Sequence, residues 1–205
     1  YTADRSEIRW TDDQLAAFAA SAGEPLTRAM TLAVETGISQ GDLLKLTRAA
    51  DQEQIIVGRR GKTKVPFAVP VSPGLRAALD AAPKGDAVTI LTSASGRPWA
   101  AGGNSFRDAW RLACIEAGIT GVTFNDLRGT FITRRRMMGW TAEETALCSG
   151  HPIAGERGAQ RSYADRAAIA EASARRLYDL WYGPNREQSS QTELQTTLGK
   201  KGLSS

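Results

Sequence analysis

Residues 123–131 (TFNDLRGTF) decide how this 205-residue chain is interpreted, together with two segments that follow them, 149–151 (SGH) and 161–163 (RSY). These segments place Arg128, the single histidine His151 and Tyr163 in a fixed order. Arginine binds a phosphate, histidine donates a hydrogen bond or moves a proton, and a tyrosine phenol supplies a nucleophilic oxygen. The three residue types together are those needed to attack a phosphodiester through a phenol.

Composition predicts one globular domain followed by a polar tail, because hydrophobic residues make up 41% of the chain. The net charge of +4 fits a polyanionic partner, and equally a protein with a few surplus surface arginines. Cys114 and Cys148 are widely separated, which favours two buried free thiols in a reducing cytoplasm. One histidine and two scattered cysteines argue against a His/Cys metal cluster. No apolar run approaches membrane-spanning length, and no signal-peptide pattern is visible in the given sequence.

Helix signals dominate the chain. Thr11 and Thr141 each open a capping box, Asn104 stands where a helix cap is expected, and Gly37 and Gly118 are placed to end helices. The predicted helices are 11–22, 26–36, 40–46, 73–82, 104–117, 126–138, 141–148 and 165–182.

Period-two patterns at residues 54–57 and 65–71 flank a basic, glycine-bounded turn and predict a β-hairpin, and residues 88–91 fit a third short strand. Strands do not alternate with helices, which argues against a doubly wound parallel sheet. The expected fold class is mainly α with a small antiparallel β-sheet (α+β).

Four segments in order resemble the conserved boxes of the tyrosine recombinases, the phage integrase family. Residues 123–131 resemble the second arginine box, His-x-x-Arg, and Gly150-His151 followed by Tyr163 resembles the nucleophile segment. Residues 36–44 (TGISQGDLL) resemble the first box, Thr-Gly-x-Arg-x-x-Glu/Asp-Leu, and 60–63 (RGKT) resemble the hairpin that carries the catalytic lysine. One box would be a weak signal, but four in order over residues 10–182 are a strong one.

The resemblance implies a role for each matching residue. Tyr163 would attack a DNA phosphate, form a 3′-phosphotyrosyl bond and release a 5′-hydroxyl, while Arg128 binds the phosphate. His151 would hydrogen-bond the phosphate or assist Tyr163, and Lys62 would act as general acid on the leaving oxygen. Asp42 would orient its neighbours, although a helix-surface aspartate explains it equally well. Lys64 and Arg60 lie close to Lys62, so the position of the general acid is open by a residue or two.

The chain departs from the family pattern at two positions. Ser39 stands where the first box has arginine, and Asn125 stands where the second box has histidine. Serine is too short and uncharged to bind a phosphate as arginine does, and losing one preorganised donor typically costs about 3–4 kcal/mol in the barrier. Asn125 is a milder change, because its amide still donates a hydrogen bond. Arg48, Arg59 and Arg60 are candidates to replace the missing charge.

Further basic residues are candidate phosphate contacts that read no bases; a solvated helix face is the alternative for each. They lie on two predicted helices and on the hairpin: Arg107, Arg111, Arg134, Arg135, Arg60 and Lys64.

The resemblance implies site-specific DNA recombination or integration by metal-free cleavage and rejoining, with no cofactor. The implied partner is double-stranded DNA, bound by a homo-tetramer on paired sites, with a monomer expected for this stretch alone. Residues 1–9 would be the stub of an upstream domain, 10–182 the catalytic domain, and 183–205 a mobile or partner-docking tail. A bacterial or phage-encoded, nucleoid-associated cytoplasmic protein is expected.

Three other interpretations remain at this point. The first is a recombinase-fold protein that binds DNA but cleaves it poorly, such as a decayed integrase or a regulator. The second is an engineered substitution at Ser39 in an otherwise active enzyme. The third is a helical DNA-binding module unrelated to recombination, against which the ordered boxes argue.

Overall fold

The computed structural model describes residues 7–85, 87–100, 103–150 and 166–184. These residues form eight α-helices, one 3₁₀ turn (Arg48–Ala50) and one two-stranded sheet, which confirms the mainly-α class. The elements in chain order are α1 (Asp12–Ser21), α2 (Glu24–Thr36), α3 (Gln40–Leu43), β1 (Ile55–Arg59), β2 (Pro66–Pro70), α4 (Pro73–Asp80), α5 (Ser105–Glu116), α6 (Asp126–Met137), α7 (Ala142–Ser149) and α8 (Arg166–Trp181).

Most helix ends lie where the capping signals predict them. The Thr11 and Thr141 side chains accept the backbone N–H three residues on, and Gln14 and Glu144 accept the N–H of those threonines in return. Both capping boxes are therefore complete. Gly37 ends α2 in the left-handed conformation, with φ of 65°. A side chain there would also collide with Phe131, whose Cδ1 lies 2.3 Å from an ideal Cβ.

Three local predictions were wrong. The side chain of Asn104 makes no capping hydrogen bond to α5. Helix α3 ends at Leu43 rather than at residue 46, because the chain tightens into i→i+3 hydrogen bonds from Lys45 and Leu46. Residues 88–91 form no strand: Thr89 makes a single bridge to Thr47, whose chain enters the 3₁₀ turn at the next residue, so no ladder follows.

The hairpin is antiparallel, with a register that runs from Ile55 opposite Pro70 to Arg59 opposite Pro66. Proline is tolerated at these positions because both strands of a two-stranded sheet are edges. One side of the hairpin packs on α7 and α8. Ile55 and Ala68 of the strands contact Leu147 of α7 and Ala170 and Ala174 of α8. This packing fixes the base of the hairpin, and its tip extends towards α3.

The main core surrounds α2 and includes a cluster of five aromatic rings. Their centroids lie 4.3–5.9 Å apart, and the rings belong to Trp10, Phe18, Phe106, Trp110 and Phe124. The cluster joins α1 and α5 to the loop that precedes α6. The start of α6 is therefore fixed by the packing of Phe124 in the core. Cys114 and Cys148 are both buried free thiols, as predicted.

Candidate active site

Helix α6 presents Arg128 in its first turn, and the preceding turn is fixed by Asp126. The buried Asp126 carboxylate accepts hydrogen bonds from the backbone N–H and the hydroxyl of Thr123, at 2.6 and 2.8 Å. The N–H of Trp10 donates to Thr130 one turn further along the helix. These bonds hold the second box rigid at the point where Arg128 leaves the helix.

Arg128 reaches from α6 to the end of α2. Its Nη1 donates a 2.6 Å hydrogen bond to the carbonyl oxygen of Gly37, which caps that helix. A cation at a helix C-terminus is favourably placed with respect to the helix dipole. The first and second boxes, 91 residues apart in sequence, therefore meet through this bond.

Asp42 joins the first box to the hairpin tip. Its Oδ2 accepts a 2.7 Å hydrogen bond from the Ser39 hydroxyl, and its Oδ1 accepts a 2.8 Å bond from the backbone N–H of Gly61. The same carboxylate forms an ion pair with Arg60, whose Nε lies 2.8 Å from Oδ2. The Nε–H bond does not point at that oxygen, so this contact is an ion pair without an aligned hydrogen bond.

Arg60 is held along its whole length. Its Nη1 donates a 3.0 Å hydrogen bond to the carbonyl oxygen of Ser149 at the end of α7. Its aliphatic stem crosses Gly150 so closely that an added Cβ would lie 2.8 Å from Cγ. Gly150 also has φ of 68°, so two separate constraints favour glycine there. The hairpin arginine is thereby placed next to Gly150.

The electrostatics of the cluster show that Arg60 and Arg128 share one environment. Burial first, and the nearby charge of Arg60 second, lower the pKa of Arg128 to about 10, and Asp42 opposes this shift. Arg128 is still cationic at neutral pH. Two arginines and one aspartate give these three groups a net positive charge, which suits a phosphodiester anion.

The other predicted hairpin residues are more exposed. Lys62 and Lys64 lie at the hairpin tip with their side chains in solvent, and Lys64 has a left-handed backbone with φ of 59°. Asn125 is exposed at the N-cap of α6 and does not cap the helix with its side chain. All three lie on the elements that carry Arg60 and Arg128, so their predicted roles stay predictions.

Two central predictions fall on residues that the structure does not describe. His151 follows the last described residue of α7, and Tyr163 precedes α8 by three positions. The ends of the elements on either side are fixed, with Gly150 against Arg60 and α8 packed on the hairpin. The assignments of His151 and Tyr163 remain predictions from sequence.

Arg107 and Arg111 lie on the exposed face of α5, one turn apart. They line a groove of about 450 Å³ that continues through Trp110 and Val122 to Asn125. The groove thus leads from these two arginines to the N-terminus of α6. This position suits their predicted role as phosphate contacts.

Arg135 contradicts the prediction that it binds DNA. Its side chain is only 8% exposed, and its Nη2 forms a 2.6 Å ion pair with Glu35. It also donates to the Tyr182 hydroxyl at 2.9 Å and lies over the rings of Phe131 and Trp140. The residue joins α6 to α2 and α8, and burial leaves no face for a phosphate.

Arg134 is also directed away from the cluster. Its guanidinium pairs with Asp12 of α1, in a groove that Glu35 also lines. An acidic surrounding of this kind repels a phosphate, so the structure counts against Arg134 as a DNA contact. The sequence showed three consecutive arginines, but helical geometry turns successive residues by about 100° and separates their environments.

Sequence reasoning missed several residues that build the site. The Gly37 and Ser149 carbonyl oxygens orient the two arginines, and no side-chain pattern reveals a carbonyl contact. Asp126 had a visible signal, because Thr123 and Asp126 have the spacing of a capping box. Among the described residues, no group of three or more His, Cys, Asp or Glu side chains is arranged to hold a metal ion. Within those same ranges, no helix is long and apolar enough to cross a membrane.

Solved structures with the same fold are integrases and recombinases. The lambda integrase catalytic core aligns with a TM-score of 0.59 at 24% identity, covering 70% of this chain and 94% of that one. XerA recombinase aligns with a TM-score of 0.61 at 20% identity, covering 85% and 65%. A lambda integrase tetramer bound to a Holliday junction aligns with a TM-score of 0.57 at 22% identity, covering 74% of this chain.

The likeness establishes that this chain has the fold of the tyrosine recombinase catalytic domain. The chain spans 48% of the length of the junction-bound integrase chain, so it corresponds to about half of that protein. No protein-family model matches the sequence, and no curated protein matches it.

Proposed function

We propose that this chain is the catalytic domain of a site-specific DNA recombinase or integrase that cuts and rejoins strands through Tyr163. The observation that carries the proposal is the cluster in which Arg128, Arg60 and Asp42 meet, with Arg60 against Gly150. The cluster brings two guanidinium groups together where α6, the hairpin and α7 converge. The solved structures that share the fold include integrases bound to DNA.

In the proposed reaction, the Tyr163 phenol oxygen attacks the phosphorus of a DNA phosphodiester. The Oη–P bond forms and the P–O5′ bond breaks, so the DNA 3′ end becomes linked to tyrosine. The phenol proton leaves with the help of His151, and Lys62 donates a proton to the departing 5′-oxygen. Rejoining is the reverse attack by a 5′-hydroxyl, so the phosphotyrosyl bond conserves the energy of the original linkage.

The remaining residues bind and orient the phosphate. Arg128 donates to the non-bridging oxygens, where negative charge grows in the transition state. Asn125 would add a neutral hydrogen bond, and Asp42 would hold Ser39 and the hairpin in position through the bonds described above. Arg107 and Arg111 would bind the flanking DNA backbone along the groove. In this proposal residues 10–182 act as the domain, four copies assemble on paired DNA sites, and residues 183–205 dock on a partner.

A second candidate function is DNA binding without efficient cleavage. Ser39 favours it, since the first box lacks the arginine that the family pattern has there. Such a protein would bind DNA through the same surface and form little or no covalent adduct.

A covalent-capture assay tests the proposal. Nicked duplexes are drawn from a randomised pool enriched for binding to the chain, with the label on the 5′ end of the strand to be cut. Because the short 5′-hydroxyl fragment diffuses away, cleavage leaves the labelled strand attached to the protein on a denaturing gel. We expect an adduct that disappears in Tyr163→Phe and persists in the matched variant Tyr178→Phe.

The other outcomes separate the candidates. An adduct that forms with Ser39→Arg and not with the natural sequence would identify a recombinase with a weakened site. DNA binding with no adduct in either protein would contradict the cleavage proposal and favour the binding protein. Absence of DNA binding across the pool would contradict both candidate functions.

A further inference from the structure

We propose that Arg60, on the hairpin, supplies the second guanidinium of the phosphate site and so replaces the arginine that position 39 lacks. This inference rests on the proposed function and assigns one further residue to the same site. Arg60 would bind a non-bridging phosphate oxygen directly, alongside Arg128.

Position is the first argument. The Ser39 hydroxyl and the Arg60 Nε contact the same oxygen, Asp42 Oδ2, at 2.7 and 2.8 Å. An arginine at position 39 would therefore extend into the space that Arg60 now approaches from the hairpin. The shared carboxylate marks one charge position reached from two different elements.

Proximity to Arg128 is the second argument. The charge of Arg60 contributes to the lowered pKa of Arg128, so the two cations repel each other in the free protein. A phosphate bound between them would relieve this repulsion, because both positive groups can hydrogen-bond the same anion. Asp42 opposes this repulsion in the free protein, and a bound phosphate would oppose it further.

The hydrogen bonds of Arg60 leave donors for a ligand. Guanidinium has five N–H groups, and Nη1 uses one of them on the Ser149 carbonyl. The Arg60 side chain is 19% exposed, so the head is accessible although the stem is packed on Gly150. The stem contacts fix the direction of the head, and a fixed fork loses little freedom on binding.

Chemistry separates Arg60 from the general acid. A guanidinium holds its proton at neutral pH and does not give it to a leaving oxygen, whereas an ammonium such as Lys62 can. Arg60 is therefore assigned to charge stabilisation and Lys62 to proton transfer. Arg60 and Lys62 then have distinct roles, and the choice of general acid that the sequence leaves open is reduced to Lys62 and Lys64.

Single-turnover cleavage of the nicked duplexes is the first test. We expect Arg60→Ala to slow cleavage by about 10²–10³-fold, the loss typical of one charge-stabilising donor. Arg60→Lys should recover part of the rate. Arg97→Ala is the control, because Arg97 is an exposed arginine in the turn at residues 93–97 and belongs to none of the clusters described above; its rate should stay within about twofold.

Two further variants separate phosphate binding from a structural role. Adding Ser39→Arg to Arg60→Ala should restore cleavage at least tenfold, because the guanidinium then returns from the first box. Asp42→Asn should slow cleavage less than Arg60→Ala does. The alternative is that Arg60 only holds the hairpin in place through Asp42. In that case Asp42→Asn would slow cleavage as much as Arg60→Ala does, and Ser39→Arg would restore the rate of neither variant. That result would overturn the proposal.

A measurement independent of cleavage keeps the two proposals distinct. Inorganic phosphate is titrated into the chain while the Nε–Hε NMR signals of Arg60 and Arg128, assigned with their alanine variants, are followed. We expect both signals to move with one dissociation constant, and phosphate affinity at Arg128 to fall about fivefold or more in Arg60→Ala. If the Arg128 signal moves and that of Arg60 does not, the Arg60 proposal fails, even where Tyr163-dependent cleavage is observed. If both signals move but no adduct forms, the Arg60 proposal stands and the cleavage proposal fails.

Discussion

Arg128 and Arg135 lie on the same helix and point the same way, yet their surroundings differ in charge. Seven residues separate them, which is nearly two turns, and both reach the C-terminal end of α2. Arg135 meets the carboxylate of Glu35 and two aromatic rings. Arg128 meets a neutral carbonyl oxygen and has a second arginine close by. One cation is neutralised inside the protein, and the other belongs to a cluster with net positive charge.

The comparison teaches that residue type and helix position do not by themselves identify a ligand-binding arginine. What distinguishes the two is the charge of the groups described around them: Arg135 lies against the carboxylate of Glu35, whereas a second cation, Arg60, acts on Arg128. Arg135 connects three helices through its ion pair and hydrogen bonds. Arg60 and Arg128, in contrast, repel each other electrostatically in the free protein. Groups whose pKa is shifted by burial and by a like charge often lie at functional sites.

Arg128→Ala should have the largest effect on function and a small one on folding. We expect single-turnover cleavage to fall by at least about 10²–10³-fold, since the donor acts on charge that grows in the transition state. Thermal unfolding should change little, because burial already penalises the cation. If Arg128→Ala cleaves at the normal rate, Arg128 is not a phosphate-binding residue and does not differ from Arg135 in function.

Gly37→Ala should disturb both regions, since Gly37 carries the carbonyl that Arg128 binds and touches the Phe131 ring beside Arg135. Left-handed strain and the collision with Phe131 together should cost about 2–5 kcal/mol of folding free energy. Urea unfolding measures this cost. Gly74→Ala is the control, because an added Cβ at that first-turn position of α4 meets nothing within 4 Å.

Arg135→Met should show the opposite pattern to Arg128→Ala. Removing one partner of a mostly buried ion pair costs about 3–5 kcal/mol, and the partial exposure of Glu35 reduces this to about 2–4 kcal/mol. Urea unfolding should show the loss, while DNA affinity of the folded fraction should be unchanged. A loss of DNA affinity with normal stability would restore Arg135 as a DNA contact. Arg111→Met, on an exposed helix face, is the stability control.

Tyr182→Phe should give the smallest effect. It removes only the hydroxyl that accepts the 2.9 Å hydrogen bond from Arg135, and a partly exposed bond of this kind to a charged donor contributes about 1.5 kcal/mol. Burial raises the pKa of the Tyr182 phenol, so the group is neutral at ordinary pH and no charge is lost. A stability loss comparable to that of Arg135→Met would mean that the hydroxyl, rather than Glu35, is the main partner.

Local sequence signals predicted much of the fold because they act over a few residues. The capping boxes at Thr11 and Thr141 and the helix stop at Gly37 are all confirmed. The strand expected at 88–91 failed because its partner segment near Thr47 turns away, and no local pattern reports on a distant partner. Asn104 has a good capping residue type, but its backbone is already helical in φ and ψ.

The site was predictable in composition and not in arrangement. Ser39, Asp42, Arg128 and Arg60 were all identified from the sequence, and the structure brings them to one place. The pairing of Asp42 with Arg60 depends on how the hairpin tip meets α3, which only packing determines. Arg135 was misassigned because an exposed and a buried arginine look alike in sequence.

The hydrogen bond from the Gly61 N–H to Asp42 has a thermodynamic consequence. A free hairpin tip samples many conformations, and ordering it on DNA would add an unfavourable entropy to binding. Here α3 already restrains the tip in the absence of DNA, so much of that entropy is lost during folding instead. Calorimetry should therefore find a less unfavourable binding entropy for the natural chain than for Asp42→Ala, in which the tip is released.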